Sequence, residues 1–84
     1  MVDLLYFAWL RERMGKPAET LALPPGVATI GALATWLRDR DEAGGRAFAD
    51  PSLVRAAVNQ DFATRDTPVR DGDEVAFFPP VTGG

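Results

Sequence analysis

The sequence holds no cysteine and no histidine. That removes disulfides, Cys/His zinc sites and the imidazole-activated nucleophiles of many hydrolases, so no metal site is expected. Any reactive chemistry must use carboxylates, hydroxyls or the chain's own termini. The segment that offers such a group is Pro79-Pro80-Val81-Thr82-Gly83-Gly84. Neither proline can donate to a strand ladder and both hold φ at about −65°, so the preceding strand must stop there. The proline pair also stiffens the base of the arm. Its tip lacks Cβ atoms, which suits entry of a terminal carboxylate into a narrow channel on another protein. Fully extended, the arm reaches roughly 20 Å. The competing reading is a frayed end that stops on two glycines by accident.

The remaining residues must hold that arm. A chain of 84 residues, 46% hydrophobic, has room for one small domain with a single core. Its 8 glycines and 7 prolines are many for a globular chain, yet too few for a low-complexity one. The net charge is −3, and the nine basic residues are scattered among twelve acids. Phosphate contacts need clustered Lys and Arg, so a nucleic-acid partner is not expected. The apolar runs Leu4 to Leu10 and Val75 to Val81 are too short to span a bilayer. Asp3 and the lack of a basic region before the first apolar run speak against a secretory signal. A cytoplasmic protein without membrane contact is the expectation.

Read along the chain, Val2 to Ala8 is apolar on both period-two faces, as befits a central strand with something packed on each side. Leu10 to Met14 reads as one helical turn, stopped by Gly15 and Pro17. Ala18 to Leu23 reads as a short edge strand. Thr29 to Arg40 is the main helix, with Thr29 as N-cap and Ile30, Leu33, Ala34 and Leu37 as one apolar stripe. Arg38 and Arg40 complement the dipole at its end. Asp41 to Pro51 reads as loop because of Gly44-Gly45 and Asp50-Pro51. Leu53 to Asn59 alternates as a strand, and Asn59-Gln60-Asp61 turns into a brief strand near Phe62. Thr67 to Asp73 is turn chemistry, and Asp71-Gly72-Asp73-Glu74 lacks the ligand spacing of a calcium loop. Glu74 to Phe78 is the last strand. Trp9 and Trp36 read as packing residues.

One amphipathic helix needs one sheet face to cover, and the most apolar strands, the first and last, belong in the middle. The expected fold is α+β: a β-grasp (ubiquitin-like) domain over residues 1–78, its mixed sheet covered on one face by a helix, with an extended tail over 79–84. If Leu4, Tyr6, Val75 and Phe77 face the helix, then Leu5, Phe7, Ala76 and Phe78 face away. Nothing else in the chain can cover that second face, and exposed apolar patches mark partner sites. The alternative is that aromatic residues such as Phe62 fill the domain's own second face.

The segment Asp71-Gly72-Asp73-Glu74-Val75-Ala76-Phe77-Phe78-Pro79-Pro80-Val81-Thr82-Gly83-Gly84 resembles the C-terminal signature of the small subunits of molybdopterin synthase, a family of ubiquitin-like sulfur carriers. Ala57-Val58-Asn59-Gln60 and Leu5-Tyr6-Phe7-Ala8, followed by Arg11-Glu12, are similar to that family too. The likeness covers the whole chain in length and element order, with only generic features between Pro17 and Ser52.

What the resemblance implies is a subunit not catalytic alone, which completes a sulfurtransferase with its partner. An ATP-dependent adenylating enzyme activates the Gly84 carboxyl, and sulfur from a donor system displaces AMP to leave a thiocarboxylate. The tail, Pro79, Pro80, Val81, Thr82 and Gly83, then enters the large subunit's active site. There Gly84 gives its sulfur to cyclic pyranopterin monophosphate to build the dithiolene of molybdopterin. The resemblance places the large-subunit contact on Phe7, Phe62 and Phe78, within a heterotetramer. No cofactor is bound by the chain itself; ATP is used by the activating enzyme. A carrier for tRNA thiolation or thiamine synthesis, a protein modifier conjugated through Gly84, and a binding module with a passive tail remain alternatives.

Overall fold

In the computed structural model, which describes residues 1–80, the two strands that are apolar on both faces do lie at the centre. Strand β1 (Val2–Tyr6) runs parallel to β5 (Glu74–Phe78), with Leu4 beside Val75 and Tyr6 beside Phe77. Strand β2 (Ala18–Leu21) flanks β1 antiparallel, and β3 (Arg55–Val58) flanks β5 antiparallel. Strand β4 (Asp61–Ala63) closes the far edge, giving the order β2-β1-β5-β3-β4. Asn59 and Gln60 take φ values of 50° and 72°, the paired left-handed conformation that a two-residue hairpin turn requires. This mixed sheet with helices packed against it is the β-grasp fold.

Three strands are shorter than their composition suggests: β3 covers only Arg55–Val58 of the expected Leu53 to Asn59, because Leu53 closes a 3-10 turn and Asn59 takes a positive φ. Strand β1 stops at Tyr6 rather than Ala8, because Ala8 takes φ 54° and turns the chain into α1 (Trp9–Met14). Strand β2 stops at Leu21 rather than Leu23. Helix α1 ends as expected on Gly15 at φ 77°, whose N–H bonds the Arg11 carbonyl. Helix α2 (Ile30–Arg40) is capped by Thr29, whose hydroxyl accepts from the Ala32 N–H at 3.2 Å. Ile30, Leu33 and Leu37 of its stripe are buried, while Ala34 is only partly so.

The loop expected over Asp41 to Pro51 holds a third helix, α3 (Glu42–Ala47), and a single 3-10 turn at Pro51–Leu53. The paired glycines that read as breakers serve packing instead. Asp41 caps α3 by accepting from the Gly44 N–H at 2.7 Å. A Cβ on Gly44 would collide with the Leu37 carbonyl, so its absence lets α3 lie directly against α2. The helix in turn places Ala47 and Phe48 in the core, and Phe48 meets Phe77 edge to face at 5.0 Å. No helix among the described residues is long and apolar enough to cross a membrane.

One polar network ties the layers together. The Tyr6 hydroxyl donates to Glu19 at 2.7 Å, and Arg40 makes two bonds to the same carboxylate at 2.8 and 2.9 Å. Residues from β1, β2 and α2 thus share one bidentate ion pair. Bonding from Arg40, against some burial, holds Glu19 below the usual carboxylate range. Burial and then the Glu19 acceptor push Tyr6 above its ordinary value.

Candidate functional site

The side chains of β1 and β5 divide as their alternation requires. Val2, Leu4, Tyr6, Val75 and Phe77 point into the helix-covered core and are at most 1% exposed. The intervening residues Leu5, Ala76 and Phe78 face the other way and remain partly exposed. Register extends this outer face across the sheet, because Leu5 lies beside Ala76, Ala76 opposite Ala57 and Ala57 opposite Phe62. A continuous apolar row therefore crosses four strands with no element of the described chain over it. Its centre is shallow, because Ala76 and Ala57 are small.

Of the aromatic residues expected here, Phe62 and Phe78 come together, with ring centroids 6.1 Å apart. Phe62 is 87% exposed, so it does not fill a second core. Phe7 is 47% exposed just beyond the end of β1; its N–H still bonds the Phe77 carbonyl at 3.1 Å, but its ring pairs with neither of the others. Ala57 was not singled out from the sequence as part of this face. Its place could have been read from the alternation of Val54, Ala56 and Val58, which leaves Ala57 on the outer side.

The start of β5 is fixed by a polar turn. The Asn59 side chain accepts from the Glu74 N–H at 3.0 Å and donates to Asp73 at 2.9 Å. Asp73 also accepts from the Arg70 N–H at 2.8 Å. These bonds, the Arg70 amide first, hold the Asp73 carboxyl below its ordinary value. Gly72 supplies the φ of 90° that the turn needs. Asp71-Gly72-Asp73-Glu74 is therefore a turn that seats the last strand.

At the other end, Phe78 stands opposite Arg55, and the ladder ends at Pro79 and Pro80, which lie outside any strand. The expected arm begins here; its residues Val81, Thr82, Gly83 and Gly84 lie outside the described residues. Because β5 is paired on both sides, the point where the chain leaves the sheet is fixed relative to the apolar row.

A β-grasp domain with one bare apolar face beside the end of its last strand places the chain among ubiquitin-like folds. The comparisons with known proteins narrow this. The ThiS family matches residues 4–84, and the chain belongs to that family. It is 43% identical to the molybdopterin synthase sulfur carrier subunit of Escherichia coli, over the full length of both chains. A solved Pyrococcus furiosus structure described as molybdopterin converting factor subunit 1 is 31% identical, with TM-score 0.75, covering 95% of this chain and 97% of that one. A Helicobacter pylori complex of subunits 1 and 2 of molybdopterin-converting factor contains a chain of the same fold, with TM-score 0.62 and 21% identity. It covers 99% of this chain and 97% of that one.

Proposed function

We propose that this chain is the sulfur-carrier subunit of molybdopterin synthase, contributing a sulfur donor and no catalytic side chain of its own. The observation that carries the reading is the bare apolar row that runs to the end of β5, where the chain leaves the sheet. Full-length likeness to the Escherichia coli carrier supports it. In this reading an ATP-dependent enzyme adenylates the Gly84 carboxyl, releasing pyrophosphate. A sulfur nucleophile then attacks that carbonyl and AMP leaves, so Gly84 ends in a thiocarboxylate. Pro79, Pro80, Val81, Thr82 and Gly83 reach into the large subunit, where the thiocarboxylate sulfur passes to cyclic pyranopterin monophosphate as the C–S bond breaks and water adds to the Gly84 acyl carbon, returning it to a carboxylate.

Phe7, Phe62 and Phe78 form the contact with that large subunit; the meeting of Phe62 and Phe78 on the bare outer face supports this. The absence of cysteine and histidine from the sequence supports placing the transferable sulfur on Gly84.

Intact mass of the protein isolated from a host actively making the cofactor tests this. A shift equal to the exchange of one oxygen for sulfur is expected, and it should vanish when Gly84 is deleted while thermal unfolding stays unchanged. Chains found only unmodified, or only linked to target proteins, would overturn the proposal.

A further inference from the structure

On the helix side of the sheet, α2 and the β3–β4 hairpin leave a hollow of about 470 Å³ between them. That is within the size range of small-molecule sites. The hollow exists because the side chains facing it from α2, β3 and β4 are Ala34, Ala56 and Ala63, none of which reaches across. Beneath them lies the edge-to-face pair of Phe48 and Phe77. The floor is therefore apolar and rigid.

The rim differs in kind. Arg38, Arg55 and Arg65 line it together with the hydroxyl residues Thr35 and Thr64, and no Asp or Glu lines it. This is notable in a chain with twelve acidic and nine basic residues. Arg65 is seated over Gly31, where an added Cβ would lie 3.1 Å from its Nη2, and its carbonyl accepts the Gly31 N–H at 2.9 Å. Among the described residues Arg65 forms no ion pair. By strand alternation Arg55 lies on the outer side with Phe78 and Ala57, and its guanidinium reaches the carbonyls of Ser52 and Val54 at 3.2 and 3.5 Å. Arg38 pairs with its neighbour Asp39, where both side chains are exposed and the pair is weak. Guanidinium forks with spare donors beside an apolar floor match a carboxylate or phosphate attached to an apolar body.

We propose that this hollow binds a small anionic amphiphile, its apolar body resting on Ala34, Ala56 and Ala63 and its anionic group held by Arg65. The site is on the opposite face of the sheet from Phe62 and Phe78, and it does not depend on the sulfur-carrier reading. A ligand there and a partner on the outer face would occupy different surfaces.

Titration of the isotope-labelled full chain with naphthyl phosphate and with naphthoate, followed by amide chemical shifts, tests the proposal. Saturable shifts are expected at Gly31, Ala34, Thr64 and Arg65, with Leu5, Ala76 and Phe62 unmoved. The tighter of the two probes identifies the anionic group. Neutral naphthol and inorganic phosphate should each bind about tenfold more weakly or worse, since each lacks one half of the match. Arg65→Gln should weaken binding by about threefold to tenfold. Ala63→Leu, which fills the hollow without changing charge, should abolish binding while the spectrum keeps its dispersion. The proposal fails if neither probe gives saturable shifts at millimolar concentration, or if the shifts fall on the outer face. It fails equally if naphthol binds as well as its charged analogues, or if Arg65→Gln binds like the wild type.

Discussion

The two faces of the central strand pair are both rich in apolar side chains, yet they meet opposite environments. Leu4, Tyr6, Val75 and Phe77 are sealed beneath the helices, and the same few residues of backbone present Leu5, Ala76 and Phe78 to the outside. Hydrophobicity does not distinguish the faces; the supply of covering elements does. The described chain has three helices, and the buried residues of all three join one core. The inner face is thus completed by folding, and the outer face is left bare by every described element.

The comparison can be broken most severely from inside. Phe77→Ala removes a fully buried ring that stacks on Tyr6 and meets Phe48 edge to face, and should destabilise the domain by about 3–5 kcal/mol in chemical denaturation. Its neighbour tests the other side of the strand. Phe78→Asp should shift stability by no more than about 1 kcal/mol, while weakening association with the large subunit by roughly 10- to 100-fold in calorimetric titration. Unchanged binding would move the interface elsewhere.

A smaller effect is expected at the junction of the layers. Glu19→Gln should cost about 1.5 kcal/mol, because it removes the charge that receives both Arg40 and the Tyr6 hydroxyl. The folded-state pKa of Glu19 lies below its ordinary value of 4.5. Its contribution is therefore full above that pH and is lost as pH falls through the folded-state value. Denaturation midpoints measured across acidic pH should show a steeper decline in the wild type than in Glu19→Gln. The smallest change is expected at Phe62→Ser, within about 0.5 kcal/mol of wild-type stability, since the ring is 87% exposed. A large loss would mean that the outer aromatics support the fold.

Much of this architecture was legible because it follows from local rules. Apolar residues on both faces of β1 and β5 called for a central position, Thr29 announced the start of α2, and Asn59-Gln60 announced the hairpin turn. The outer apolar face followed from the same alternation. What escaped was set by contacts between distant residues. Gly44 and Gly45 look like helix breakers, and only the approach of α3 to Leu37 makes Gly44 a packing residue. Arg40 reads as a dipole-complementing cation at a helix end; its bidentate bond to Glu19, 21 positions away, depends on how α2 sits over β2. Ala34 completes the apolar stripe by spacing, yet it lines the hollow, because Ala56 and Ala63 facing it are equally small. The ends of β1 and β2 were overestimated because composition does not reveal the positive φ of Ala8 or the early end of the ladder at Leu21.

The placing of β5 between a parallel and an antiparallel neighbour has a mechanical consequence. A load applied at Pro79 runs along the axis of β5, so it shears the ladders to β1 and β3 along their whole length instead of peeling them apart bond by bond. Inter-strand bonds loaded in that direction share the force and must yield together. The strand that would bear such a load is held by a ladder on each side, at the centre of the sheet.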